Sequence, residues 1–168
     1  EERRERDSIV RFLNYPVRIT YVGRLDKDSE GLLLMTNNGD IINRMMRAAN
    51  KHEKEYKVTV DKPVTDEFLK EMAGGVPILD TVTRPCQVEK LGKYKFKIIL
   101  TQGLNRQIRR MCGALGYEVK ELRRVRIMNI ELGNLKPGEY RKVTDQELNE
   151  LYELIRDSKS EPTPWNNN

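Results

Sequence analysis

Two β-rich arms, residues 81–91 and 94–101, are separated only by Gly92-Lys93, and a link that short can join two strands only as an antiparallel hairpin. β-Branched and aromatic residues recur on both arms: Thr81, Val82, Thr83 and Val88 on one, Tyr94, Phe96, Ile98 and Ile99 on the other. A parallel crossover needs a dozen or more residues. The rest of the sequence also lacks regular βαβ spacing, so the expected fold is one α+β domain, a mixed and mostly antiparallel sheet with flanking helices.

Ahead of the hairpin, residues 8–22 combine an apolar pattern (Ile9, Val10, Phe12, Leu13) with Pro16 and an alternating run, Val17, Ile19 and Tyr21, that predicts a strand. A polar loop, Gly23-Arg24-Leu25-Asp26-Lys27-Asp28-Ser29-Glu30-Gly31, leads into the continuous apolar residues 32–35, expected as a buried strand. After the turn signal Asn37-Asn38-Gly39, Ile41, Ile42, Met45, Met46 and Ala49 recur at helical spacing behind Asp40 as N-cap, which predicts a helix over about residues 40–50. Residues 55–60 alternate as a strand, and Thr65 can cap a helix running to Gly74-Gly75.

Beyond the hairpin, Asn105 is placed to cap a helix in which Ile108, Met111, Cys112 and Leu115 form one i, i+3, i+4, i+7 stripe ended by Gly116. A long strand over about residues 118–132 and the turn Lys136-Pro137-Gly138-Glu139 follow. Thr144-Asp145-Gln146-Glu147 is a capping box that opens a last helix to about residue 155. Residues 1–156 read as one domain and 157–168 as a disordered tail.

The 31 Lys and Arg against 26 Asp and Glu give a net charge of +5, and the excess gathers at Arg106, Arg109 and Arg110 and at Arg123, Arg124 and Arg126. Such clusters suit a polyanion partner, and they equally suit a solvated basic surface. With one histidine, His52, the usual multi-histidine metal centres cannot be assembled. Two cysteines outside any C-x-x-C pair point to a reducing, cytoplasmic setting. No apolar run approaches the ~20 residues that cross a bilayer, and the charged residues 1–7 lack the apolar stretch of a signal peptide.

Three constellations could carry chemistry. Asp26, Asp28 and Glu30 before Gly31 superficially match a calcium loop, but Lys27 sits among the ligands and Asn37 stands where a bidentate Glu belongs. Arg109 lies about 60° from Cys112 on the helical wheel, at the edge of the apolar stripe. A half-buried guanidinium there needs an anion, either a structural carboxylate or a site acid such as Asp26. Tyr56 lies in an otherwise charged strand and is open to two readings, a core ring or a platform for an unpaired base.

Taken in order, Gly23-Arg24-Leu25-Asp26-x-x-Ser29-x-Gly31-Leu32-Leu33, Lys54-Glu55-Tyr56 and Asn105-Arg106-Gln107-Ile108-Arg109-Arg110-Met111 resemble the motifs of bacterial ribosomal pseudouridine synthases of the RsuA type. Gly75-Val76-Pro77-Ile78-Leu79 and Arg126-Ile127-Met128-Asn129 extend the resemblance toward the F-type, large-subunit branch, over about residues 16–156. The resemblance implies a cofactor-free and metal-free isomerase in which Asp26 is catalytic, Tyr56 stacks on the target base and Arg109 pairs with the catalytic carboxylate. Arg24, Arg106, Gln107, Arg110, Arg124 and Arg126 are the substrate contacts it suggests.

The implied partner is RNA, a 23S rRNA stem-loop and a tRNA anticodon arm of similar shape, bound by a monomer; a non-catalytic RNA-binding or ribosome-assembly factor with the same fold is the alternative. In the family an S4-type RNA-binding module and a Lys-Pro-x-Gly strand precede the region that begins here. The expectation is therefore a catalytic domain shortened at its start, with the basic residues 120–126 as the remaining RNA contact.

Overall fold

The computed structural model describes residue 13 and residues 15–48 and 51–156. The expectations for Ile9, Val10, Phe12, Ala49 and the tail after Asp157 lie outside those residues.

The central sheet has six strands. β4 (Lys54–Val60) lies between β8 (Lys95–Leu100) and β9 (Val119–Ile127), β7 (Gln87–Gly92) extends the β8 side, and β10 (Ile130–Glu131) and β2 (Glu30–Gly31) flank the far edge of β9. All pairings are antiparallel except β2 on β9, which is parallel and matches Glu30 with Arg123 and Gly31 with Arg124. Two further ribbons join β1 (Thr20–Val22) to β3 (Leu34–Thr36) and β5 (Pro77–Ile78) to β6 (Thr81–Val82). With α1 (Gly39–Ala48), α2 (Asp66–Gly74), α3 (Gln107–Ala114) and α4 (Asp145–Arg156) this is a mixed, mostly antiparallel α+β fold. No helix among the described residues is long and apolar enough to cross a membrane.

The hydrophobic interior falls into two clusters. Val58, Phe96, Ile98, Phe68, Met72, Met111 and Cys112 bury the alternate residues of β4 and β8 under α2 and α3. Val22, Ile41, Met45, Ile127, Ile130, Leu151 and Ile155 bring α1 and α4 together at the β9–β10 end. The two clusters leave a seam, and the polar loop of residues 23–31 lies along it.

Several local expectations give way to longer-range pairing. The apolar residues 32–35 are not one buried strand: Leu32 is buried, but the run passes from β2 in the main sheet to β3 in a separate ribbon. The preceding strand shortens to Thr20–Val22, with Val17 exposed. Helix α1 is capped by Asn38, whose Oδ1 accepts from the main-chain N–H groups of Asp40 and Ile41, so Asp40 sits inside the first turn. Thr81 and Val82 leave the long hairpin to pair with Pro77 and Ile78. The strand expected over residues 118–132 turns back at Met128, which adopts φ 54°. Asn105 does not cap α3; Arg106 holds that position in a left-handed conformation, φ 47°.

Two caps form as expected. Thr65 Oγ1 accepts from the N–H of Phe68. Thr144 and Glu147 exchange reciprocal bonds of 2.9 and 3.1 Å. The Glu147 carboxylate also takes the Arg141 guanidinium in two bonds of 2.7 and 2.8 Å. Arg141, more than any other group, holds the Glu147 carboxyl down to about 2 from the ordinary 4.5. Since the folded value lies below the unfolded one, this contribution is complete above about pH 4.5 and is lost as pH falls toward about 2. Protection factors of the α4 amides should therefore fall across that window, and Glu147→Gln should remove this acid dependence; equal protection profiles for the two proteins would refute the assignment.

Candidate active site

The loop of residues 23–31 carries acids whose positions are set by its two ends, and both ends are held by one side chain. Arg124 on β9 is buried, 6% exposed. Its Nε and Nη2 donate to the carbonyl of Leu32 at 3.0 and 2.8 Å, and its Nη1 donates to the carbonyl of Arg24 at 3.2 Å. The main chain adds a fourth tie, from the N–H of Leu32 to the carbonyl of Arg124 at 2.8 Å. Gly31 makes this approach possible: its φ is +118°, and a Cβ there would lie 2.2 Å from the Arg124 carbonyl oxygen.

Tyr56 on β4 stands directly opposite Arg124 on β9, so the two side chains share one face of the sheet. A register shift beside this pair leaves Val125 as the extra residue. Burial pushes the Tyr56 phenol above its usual range, opposed by the Arg124 guanidinium and reinforced by the negative charge of Asp26. Lys54, two residues earlier on the strand, lines the same cavity; burial, with Arg124 and Arg84 nearby, pushes its ammonium down to about 8.

The start of α3 closes the site from the other side. Arg106 donates two bonds to the Asp28 carboxylate, 3.1 Å from Nη1 and 2.7 Å from Nη2. Its Nη1 also stands 3.7 Å from Asp26 Oδ2. Arg109 turns to the same loop, with Nη2 donating to the Asp28 carbonyl at 2.7 Å and to Ser29 Oγ at 3.4 Å, and with Nε 3.5 Å from the Asp28 carboxylate. The Arg106 hydrogen bonds, foremost, hold the Asp28 carboxyl below its ordinary range.

The pair expected between Arg109 and Asp26 is thus replaced. Arg109 serves Asp28, and Arg106, whose backbone is left-handed, is the guanidinium beside Asp26. Asp26 remains largely enclosed, its side chain 16% exposed against 50% for Asp28.

Asp26, Tyr56, Arg24, Arg106 and Arg109 converge on one cavity of about 120 Å³. Benzene fits an engineered cavity of about 150 Å³, so a single pyrimidine ring is of the right scale. Gln107 and Arg124 also line this cavity, whereas Arg110 and Arg126 do not. Arg124 is enclosed, its guanidinium bonded to loop carbonyls. Arg126 bonds Glu53, Glu55 and the Met128 carbonyl. Gln107 is buried, its amide held by Leu104 and Gln102. Arg110 is exposed and braced by Asn105.

Sequence reasoning named Asp28 only in the discarded calcium match and Lys54 only as part of a motif, and gave neither a role in the site. Lys54 could have been found from strand alternation, which puts it on the face of Tyr56. Asp28 could not, because its partners lie 78 and 81 residues away.

The family model described as RNA pseudouridylate synthase matches residues 1–114. The chain is 58% identical over 160 residues to the dual-specificity RNA pseudouridine synthase RluF of Shigella flexneri, covering 95% of this chain and 55% of that protein. It is 35% identical over 146 residues to ribosomal small subunit pseudouridine synthase A of Yersinia pestis, covering 84% and 62%. A crystal structure of a pseudouridylate synthase superposes with a TM-score of 0.79 at 34% identity, covering 86% of this chain and 65% of that one. The chain spans about half the length of the RluF protein it matches.

Removing the Arg124 guanidinium strips buried carbonyls of their donors, at about 1–3 kcal/mol for each group left unpaired. Arg124→Met should destabilise the protein by on the order of 3 kcal/mol and speed amide exchange first in residues 24–32. A denaturation midpoint equal to the parent's would refute the clamp.

Proposed function

The chain belongs to the RNA pseudouridylate synthase family, and on that premise we propose that it isomerises uridine to pseudouridine in RNA, with Asp26 as the catalytic residue. The observation that carries this reading is the enclosed Asp26 carboxylate, facing a ring-sized cavity beside Tyr56 and Arg106. The reaction breaks the bond from uracil N1 to ribose C1′, turns the base and joins C5 to C1′. The C5 proton leaves to solvent and N1 gains one, so atoms and electrons balance without a redox partner.

A uridine in folded RNA must leave its stack before this bond can be reached. Tyr56 offers the swung-out base a replacement face, and its protonated phenol keeps that face neutral. Arg24, exposed at the cavity, and Arg110, exposed on α3, are the cations we assign to RNA phosphates, a reading their exposure and charge support. Asp26 acts as a nucleophile on the sugar or on uracil C6, or as a base at C2′, and its place against the cavity serves each. The substrate we propose is a large-subunit rRNA stem-loop, with a tRNA anticodon arm of similar shape as a second, modified in the cytoplasm by a monomer.

Tritium release from RNA labelled at uridine C5 tests the reaction. Asp26→Asn should bring release to background while RNA binding persists, and undiminished release would remove Asp26 from the chemistry. Tyr56→Ala should lower kcat/KM by about 10- to 100-fold, the ~1–3 kcal/mol of one base stacked on an aromatic ring; an unchanged value would take Tyr56 off the base.

A further inference from the structure

Lys54 occupies a position where an ammonium is costly to place. Across to β8 it faces Leu100 and across to β9 Ile127, 3% and 7% exposed, and all three residues line the cavity. An apolar side chain of similar length would suit those neighbours, and burial beside them disfavours the charged form. Strand alternation keeps Lys54 on the same face as Tyr56, the ring on which the target base is proposed to stack. Other charged groups reach the cavity from other elements: Asp26 and Arg24 from the loop, His52 from the turn ahead of β4, and Arg106 and Arg109 from α3. Arg106 and Arg109 are engaged with Asp28, and Arg124 with loop carbonyls.

We propose that Lys54 stabilises the negative charge that uracil gains during the reaction, its ammonium standing in the cavity wall on the side of the stacked base. The inference rests on the isomerase reading and adds a residue to it. When the bond from N1 to C1′ breaks, its electron pair stays with the base, and the detached uracil is an anion delocalised over N1, O2 and O4. When C5 joins C1′ the ring returns that pair, after which the C5 proton leaves to solvent and N1 takes one up. Attack of Asp26 on C6 would instead send electrons toward C5 and O4, so the ring becomes anionic on that route too. Lys54 transfers no proton and forms no bond. A fixed cation in a poorly solvated wall favours such a transient anion more than a cation in water does.

The charge has a pH limit. Burial foremost, then Arg124 and Arg84, hold the ammonium at about 8, whereas the Tyr56 phenol titrates above its ordinary range. The Lys54 charge is therefore present below about pH 8 and is lost as pH rises through it.

Tritium release is compared for the parent, Lys54→Met and Lys54→Arg. At neutral pH Lys54→Met should lower kcat about tenfold or more while KM changes less than about threefold, because the charge it answers develops only as the bond breaks. The advantage of the parent over Lys54→Met in kcat/KM should shrink as pH rises through about 8. Lys54→Arg, charged throughout, should keep that advantage. Ionisation of the RNA is common to all three proteins and cancels in these ratios. A Lys54→Met enzyme within about twofold of the parent would overturn the proposal, as would a ratio of parent to Lys54→Met that stays constant with pH, or Lys54→Arg no faster than Lys54→Met at neutral pH. Absence of release from the parent would strike the isomerase reading and this inference with it, whereas release that Lys54→Met leaves intact strikes the inference alone.

Discussion

A single buried guanidinium governs the geometry of the site. Arg124 reaches from the second half of the chain to the carbonyls at both ends of the 23–31 loop, and it stands across the sheet from Tyr56. Placing a charge there is costly unless every donor finds an acceptor. The cost is met by carbonyls that the loop, having left regular strand pairing, would otherwise leave unpaired. One interaction therefore solves two burial problems, and the acids of the loop inherit a fixed frame.

The second organising element is electrical. Two carboxylates, Asp26 and Asp28, and two guanidiniums, Arg106 and Arg109, form a compact cluster of opposite charges at the mouth of the cavity. The cluster is asymmetric, with Asp26 facing inward and Asp28 outward, so chemically identical side chains two residues apart occupy different environments. Lys54 adds positive charge on the inner side.

Much of the fold could be read from sequence because its information is local. The hairpin of residues 87–100, the Thr65 cap, the capping box at Thr144 and the apolar stripe of α3 follow from spacing and hydrogen-bonding chemistry over a few residues. Misreadings arose where a distant partner decided the outcome. Asn105 has the side chain of a helix cap but braces Arg110. Arg124 reads like its exposed basic neighbours, since nothing along the strand reveals that Arg24 and Leu32 offer carbonyls there, yet it lies buried at the wall of the cavity. The motifs placed Asp26, Tyr56 and Arg109 near one another, whereas the approach of Arg106 to Asp26, and of Arg109 to Asp28, was not signalled by sequence pattern.

The clamp also bears on synthesis. The loop at residues 23–31 leaves the ribosome long before its fastening at Arg124, a separation of 100 residues from Arg24, and chain elongation at about 5–20 residues per second makes that interval roughly 5–20 s. During it the parallel pairing of β2 cannot form, because β9 does not yet exist. Loop closure over such a span is slow compared with local helix and hairpin formation. The arrangement that aligns Asp26 with its cavity is thus among the last features the chain can complete, and a nascent polypeptide carries these acids without the means to aim them.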